Sequence, residues 1–306
     1  MQALIQMFRR EWLEKKFISN VVVFFLALVL ISTAALVWNA DNNARLFPEM
    51  LDEETAAKRS LTLSEFIQTE GVCTIGDVKG GALTCGLGFA VFVPAIIAVV
   101  LIIQYFSLSF RKARSDGSAM FWAGMPVSST KDHAVKLVFG LIGIPLMCSL
   151  IMLAISLGLW LFAMVLGTPD EFWPQELTFV GMMLNFPVYA FSLALSGVLL
   201  LPAAVVLMTM SQLFRHPVLV LVIGFIVIDL LSMLFLDIEV GGLILESMFM
   251  LSTQIFWNVY GDQTVPLGFT AYNMVLYVVL AAGGLASSLW LSRTVDVELF
   301  QRKARA

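Results

Sequence analysis

The sequence predicts an all-α integral membrane protein with six transmembrane helices. Apolar residues (AVILMFWYC) fill 59% of the 306 positions, charged residues fill only 13%, and the mean hydropathy is +0.91. Soluble domains contain roughly 45–50% apolar and about 25% charged residues, so a water-soluble fold is excluded. A transmembrane barrel needs strands of alternating polarity, whereas residues 21–37 and 218–236 are almost continuously apolar. Helices are therefore the predicted spanning elements.

Apolar runs longer than the roughly 18 residues that mark a spanning helix define the predicted spans. The six spans cover residues 17–38, 83–106, 134–166, 177–210, 218–236 and 269–291. The third and fourth runs exceed the about 20 residues needed to cross the hydrocarbon, so we expect them to tilt, kink or project beyond it. Pro145, Pro187 and Pro202 are the predicted kink points.

The distribution of basic residues predicts the orientation. Fourteen of the 18 Lys and Arg residues fall on the side that holds both termini. The other four lie in the long loop 39–82, on the side that also carries 15 of the 22 Asp and Glu residues. Because cytoplasmic flanks retain Lys and Arg, both termini are predicted to be cytoplasmic and the loop 39–82 to be outside.

The N-terminal segment 1–16 is predicted to form an amphipathic helix in the membrane interface. Its apolar stripe comprises Leu4, Ile5, Phe8 and Trp12. Arg9 and Arg10 lie on the opposite face. Two interpretations stay open: an elbow helix that leads into the first span, or a charged flank that only fixes the topology.

The cytoplasmic loop 107–133 carries signals for a short transverse helix. Ser115 is a candidate N-cap, and Gly124 followed by Pro126 ends the segment. The apolar residues of this helix are Met120, Phe121 and Trp122. Side chains of this size so close to water need cover from lipid headgroups or from another protein, and the sequence allows either.

The loop also carries a motif. It reads Arg114-Ser115-Asp116-Gly117-Ser118, then Met125-Pro126-Val127-Ser128, and Lys136 follows. With the basic N-terminal helix and the six spans, this arrangement resembles the ABC-2 type permeases, whose loop commonly reads E-R-x-x-G-T/S and then L-P-V/I-S/T before a Lys near the third span. Ala113 and Met125 depart from that pattern, where the family commonly has Glu and Leu.

The resemblance implies a transmembrane subunit of an ATP-driven exporter in a bacterial inner membrane. ATP and Mg would be bound by a separate ABC ATPase subunit, and a second permease subunit, identical or related, would complete the assembly. The transverse helix would be the coupling helix that inserts into the ATPase. The coupling residues that the resemblance implies are Asp116, Gly117, Ser118, Met120, Phe121, Trp122 and Pro126.

The sequence lacks the residues that ATP binding, metal binding or nucleic-acid binding would need. The sequence has no G-x-x-x-x-G-K-[ST] loop to hold ATP phosphates. His133 and His216 fall at span ends, without a cysteine pair or H-E-x-x-H to complete a metal site. The net charge of −4 and the lack of a basic block with interleaved aromatics argue against a nucleic-acid partner.

Asp229 is the only ionisable residue well inside a predicted span. A lone carboxylate cannot form a catalytic dyad or a proton relay, which leaves a functional charge or a hydrogen-bonded structural role. On the outer side, Cys73 and Cys85 flank a segment with three glycines that can turn back on itself. They are either a disulfide pair or two free thiols.

The outer segment 237–266 contains no Lys or Arg but many large apolar residues. We expect a re-entrant or interfacial helix there, similar to the helix that precedes the last span in ABC-2 permeases. In the sixth span, Gly283/Ser287 and Gly284/Ser288 form small-xxx-small pairs that favour close packing within the chain.

Two other functions compete with the permease. An ion- or proton-coupled carrier is disfavoured because the spans hold a single carboxylate. A non-transporting membrane anchor or regulator of an ATPase fits the sequence as well. A neighbouring reading frame that encodes G-x-x-x-x-G-K-[ST] would favour an ATPase partner.

The missing phosphate loop generates the first prediction. The purified chain alone should bind no ATP and hydrolyse none, because neither the backbone cradle nor its lysine is present. Equilibrium dialysis with labelled ATP and Mg²⁺ tests this prediction. Saturable binding by the single chain would contradict it.

Overall fold

The computed structural model describes residues 18–29, 31, 34, 73–75, 78–80, 82–110, 129–165, 178–214, 216–236, 239–260 and 271–305. Almost all of these residues are helical. The helices are α1 (Ile18–Val29), α2 (Ala82–Leu108), α3 (Ser129–Val138), α4 (Ile144–Val165), α5 (Phe179–Leu199), α6 (Leu201–Leu213), α7 (Pro217–Leu236), α8 (Val240–Tyr260) and α9 (Ala271–Arg305), with a π-helix at Phe139–Gly143. Two short strands, β1 (Cys73–Ile75) and β2 (Val78–Gly80), pair antiparallel with Cys73 opposite Gly80.

Within the described residues, five helical segments are long and apolar enough to cross a membrane. They are Ala90–Leu108, Ser129–Leu161, Phe179–Leu199, Pro217–Phe235 and Ala271–Ser292. The helical class and the multi-pass membrane character are confirmed. The five segments overlap the second to sixth predicted spans, whereas only part of the first predicted span is described, as the 12 residues of α1.

Three spans differ from their predicted bounds. The third begins at Ser129 and runs without interruption through the π-helix into α4. The fourth divides into α5 and α6 at Leu200, whose ψ of 10° departs from the helix just before Pro202. The last helix continues beyond the apolar run to Arg305, because no Gly or Pro stops it there.

Chain contacts divide the protein into two compact units. The first contains the described residues of the ranges 98–146 and 191–306, and the second contains those of the ranges 17–97 and 147–190. In the second unit, the fully buried Tyr189 donates its hydroxyl to the carbonyl of Val91 at 2.9 Å, which joins α5 to α2. The rings of Trp160 and Phe179, 5.9 Å apart, join α4 to α5.

The π-helix of the first unit lies directly before a proline. Ile144 donates its N–H to Phe139, five residues back, and Pro145 has no N–H to offer the Leu141 carbonyl. Gly197 of α5 packs against that carbonyl so closely that an added Cβ would lie 2.2 Å from its oxygen. The proline therefore exposes a backbone surface that only glycine can approach.

Among the described helices of the first unit, α6 and α9 make the most extensive contact. Gly284 lies against Val205, where an added Cβ would be 2.6 Å from Val205 Cγ2. One turn later, Thr209 Oγ1 shares its hydroxyl proton between the Val205 carbonyl at 2.9 Å and the Gly284 carbonyl at 3.1 Å. Tyr277 Oη donates to the Leu199 carbonyl at 3.1 Å, beside the break between α5 and α6. Gly284 thus lets α6 and α9 approach closely enough for a hydroxyl on one helix to reach a backbone carbonyl of the other.

The second prediction compares two adjacent glycines in α9. Gly284→Ala should lower the free energy of unfolding by about 1–3 kcal/mol, because its new methyl group overlaps Val205. Gly283→Ala should be neutral or stabilising by up to about 1 kcal/mol, since open space surrounds that position and alanine favours the helix. Unfolding of both variants in detergent micelles measures the difference. Equal midpoints would contradict the α6–α9 packing.

Candidate functional site

Most of the predicted site residues lie outside the described part of the chain. This holds for the coupling residues Asp116, Gly117, Ser118, Met120, Phe121, Trp122 and Pro126, and for the elbow residues Phe8, Arg9, Arg10 and Trp12. The backbones of Cys73 and Cys85 belong to β1 and α2, but their side chains lie outside the described part. These assignments, and the disulfide, stay predictions.

The structure does describe both ends of the loop 111–128. Helix α2 passes through a turn to Phe110, and α3 resumes at Ser129. The Phe110 ring lies 4.7 Å from the His133 ring, and Lys136 Nζ lies 4.0 Å from the centroid of Phe110. A cation over an aromatic face is attracted by the ring quadrupole, so Phe110 is held against the first two turns of α3.

Lys136 is buried although it is charged. Its side chain is 4% exposed, and its ammonium group contacts Asp132 Oδ2 at 2.5 Å, one turn earlier on α3. A buried charged lysine without a partner would destabilise the fold, so the Asp132 carboxylate is what allows Lys136 to be buried. Asp132 therefore pairs with Lys136 and holds it beneath Phe110.

His133 joins α3 to α9. It is 2% exposed, and its Nε2 lies 3.0 Å from Ser288 Oγ. Its Nδ1 lies 2.8 Å from the carbonyl oxygen of Ser129. A carbonyl can only accept, so Nδ1 carries the proton, and in the neutral ring Nε2 accepts the hydroxyl proton of Ser288.

The same serine binds α6. Gln212 Nε2 donates to Ser288 Oγ at 2.7 Å and to the Ser288 carbonyl at 3.2 Å. A second contact ties α3 to α9, because Ser292 donates to the Leu289 carbonyl and its oxygen lies 2.6 Å from Ser129 Oγ. We call the set Ser129, His133, Gln212, Ser288 and Ser292 the α3–α6–α9 joint.

The joint forms a directed chain of hydrogen bonds. The Gln212 amide donates to Ser288, Ser288 donates to His133, and His133 donates to the Ser129 carbonyl. Each buried donor in this chain therefore has an acceptor, as a buried polar network requires. A shift of α3 relative to α9 would break several of these bonds at once.

A serine hydroxyl bonded to a histidine also resembles a nucleophile with its base. Here the pair is sealed, since Ser288 is 0% exposed. His133 Nδ1 faces a backbone carbonyl instead of a carboxylate, and Gln212 occupies the Ser288 oxygen. This geometry favours a structural connection over hydrolysis. No group of three or more His, Cys, Asp or Glu side chains that could hold a metal occurs among the described residues.

Asp229 marks a second polar contact in the first unit. Its Oδ1 accepts the backbone N–H of Gly241 at 3.0 Å and of Gly242 at 3.4 Å, while Ser232 Oγ accepts the N–H of Val240 at 3.2 Å. These groups occupy the first turn of α8, whose N–H groups have no helical acceptor. The carboxylate also suits the positive end of the helix. Asp229 therefore caps α8 from a neighbouring helix.

Gln212, Ser288 and Ser292 are not among the site residues that the sequence predicts. In the sequence, Ser288 is marked only as a small residue of a small-xxx-small pair, and His133 only as a histidine at a span end. The available signal was weak: each is a single polar residue near the predicted cytoplasmic end of an apolar run. Their meeting depends on how three helices pack.

No family model, curated protein or solved structure matches the chain. The features that bear on function are the loop motif, the contacts that hold the loop ends together and the α3–α6–α9 joint.

The third prediction tests the joint. Ser288→Ala should lower the free energy of unfolding by about 1–3 kcal/mol, because His133 Nε2 loses its buried partner and Gln212 Nε2 keeps only the Ser288 carbonyl of its two acceptors. Thr253→Ala is the matched control, since Thr253 is exposed and its hydroxyl donates to the Phe249 carbonyl of its own helix. Chemical unfolding in micelles compares the two variants. A Ser288→Ala effect no larger than that of Thr253→Ala would mean that the joint adds no stability.

Proposed function

We propose that the chain is the permease subunit of an ABC transporter of the ABC-2 type, which exports a substrate with energy from ATP. The observation that carries this proposal is the tethering of the loop 111–128. Lys136, which matches the lysine of the family pattern, is buried beneath Phe110 and pairs with Asp132. The two ends of the loop with the family-like motif are therefore held together by contacts between Phe110 and α3.

The joint supports a route by which the loop moves the helices. A force on the loop acts first on Ser129 and His133, in the first two turns of α3. The buried bonds of His133 and Gln212 to Ser288 pass the displacement to α9 and α6. A displacement of one of these helices alone would break the bonds of both His133 and Gln212 to Ser288. The helices α3, α6 and α9 therefore move as one body.

The assembly that follows has four parts. The ATPase subunits bind ATP and Mg²⁺, and their surface receives the transverse helix that contains Phe121 and Trp122. Two permease subunits face two ATPase subunits. The two permease subunits lie in a bacterial inner membrane, with their termini in the cytoplasm. The charge distribution of the sequence supports this orientation.

The fourth prediction tests the coupling helix. Replacing Phe121 and Trp122 together with Ala should weaken assembly with the ATPase about 30-fold, because aromatic anchors in an interface typically contribute about 2 kcal/mol or more. Insertion should be unchanged, since neither residue lies in a predicted span. Co-purification of the ATPase from host membranes, together with membrane yield, measures both effects.

Asp116→Ala provides the matched control in the same loop. It removes a helix-end interaction worth about 0.5–2 kcal/mol and should weaken assembly less. Retention of the ATPase at wild-type affinity by the double variant would make the loop a lipid-facing connector. Failure of any chain with a phosphate-binding loop to co-purify with the wild type would overturn the proposed function. An ATPase complex that moves no substrate would favour the anchor or regulator instead.

A further inference from the structure

A groove lies between the end of α2 and the start of α7, within the first unit. Its volume is about 470 Å³, within the roughly 300–1,000 Å³ that is typical of ligand pockets. The apolar wall consists of Leu108 from α2 and of Leu219, Val222 and Ile223 from α7. The α3–α6–α9 joint contributes no residue to this wall, so the groove is separate from the site described above.

The wall is suited to an acyl chain. Leu219 is 57% exposed and Ile223 is 51% exposed, and both belong to a helix that is long and apolar enough to cross a membrane. Exposed apolar side chains on such a helix contact the hydrocarbon, where polar occupants are excluded. The part of an occupant that lies along Leu219, Val222 and Ile223 is therefore apolar.

The mouth of the groove is suited to an anion. His216 lines it, is exposed, and directly precedes α7. An imidazole N–H can donate to a phosphate oxygen in either charge form of the ring. The 20-residue helix α7 begins at Pro217, which has no N–H, but the N–H groups of Val218 and Leu219 and the positive dipole end of the helix also favour a negative charge there.

Because α7 is a membrane-spanning segment by length and composition, its start is expected at the level of the lipid headgroups and its apolar wall in the hydrocarbon beneath them. The start of α7 is predicted to face the cytoplasm, where the leaflet carries anionic lipids. We propose that the groove binds one anionic phospholipid, with its phosphate at His216 and the start of α7 and an acyl chain along Leu219, Val222 and Ile223. A peptide would not match this pairing of a single anionic head with an apolar wall. The inference does not depend on ATP-driven transport.

The test measures which lipid the full-length protein retains. The protein is equilibrated in micelles containing equal amounts of phosphatidylglycerol and phosphatidylcholine, then washed, and the bound lipids are quantified. His216→Glu should reduce the enrichment of phosphatidylglycerol about fivefold or more, the effect of one charge contact at a membrane surface. Ile223→Trp should reduce it similarly by filling the groove.

Leu230→Trp is the matched control, because Leu230 is 66% exposed on the same helix and does not line the groove. It should retain the wild-type enrichment. A photoreactive phosphatidylglycerol should label the peptide 216–223 in the wild type and in Leu230→Trp, but not in Ile223→Trp.

Two results would overturn the proposal. One is equal enrichment in the wild type, His216→Glu and Ile223→Trp, which would place the anionic lipids at other basic residues. The other is no labelling of peptide 216–223 together with a lower unfolding midpoint for Ile223→Trp than for Leu230→Trp. That outcome would mean that the protein itself fills the groove.

Discussion

The close contact of α6 with α9 is the constraint on which the described core of the first unit depends. In a membrane, lipid tails are as apolar as leucine, so helices associate through tight packing and interhelical hydrogen bonds. Gly284 provides the tight packing against Val205, and Thr209 provides the bonds. Ser288 lies one turn beyond Gly284, which brings its hydroxyl within reach of both Gln212 and His133. Without the glycine contact, the joint could not form.

A second constraint is that buried backbone groups need partners when prolines interrupt a helix. Pro145 has no N–H to offer the Leu141 carbonyl four residues back, and the backbone of Gly197 packs closely against that carbonyl. At the break near Leu200, Tyr277 donates to the Leu199 carbonyl. Ser196, one residue before Gly197, exchanges hydrogen bonds with Ser252 of α8. Each interruption is thus matched by a glycine or a hydroxyl from another helix, so the breaks are places where helices meet.

These contacts give the proposed coupling its physical form. Lys136, Asp132 and Phe110 tie the two ends of the loop together, and His133 ties the same turn of α3 to α9. Asp229 also connects two helices, because its carboxylate accepts hydrogen bonds from the first turn of α8 and holds that turn against α7. Polar side chains in this protein are few, and those described in the first unit are used mainly to connect helices.

The sequence by itself determined the helical membrane class, the approximate positions of five spans and the predicted orientation. These properties follow from long apolar runs and from charge near their ends, which are local features of the chain. Only the tertiary structure decided that His133, Gln212 and Ser288 meet and that Asp229 caps α8. His133 and Ser288 are 155 residues apart, and Gln212 and Ser288 are 76 apart. No periodicity encodes such pairs, because they depend on which helix faces pack together.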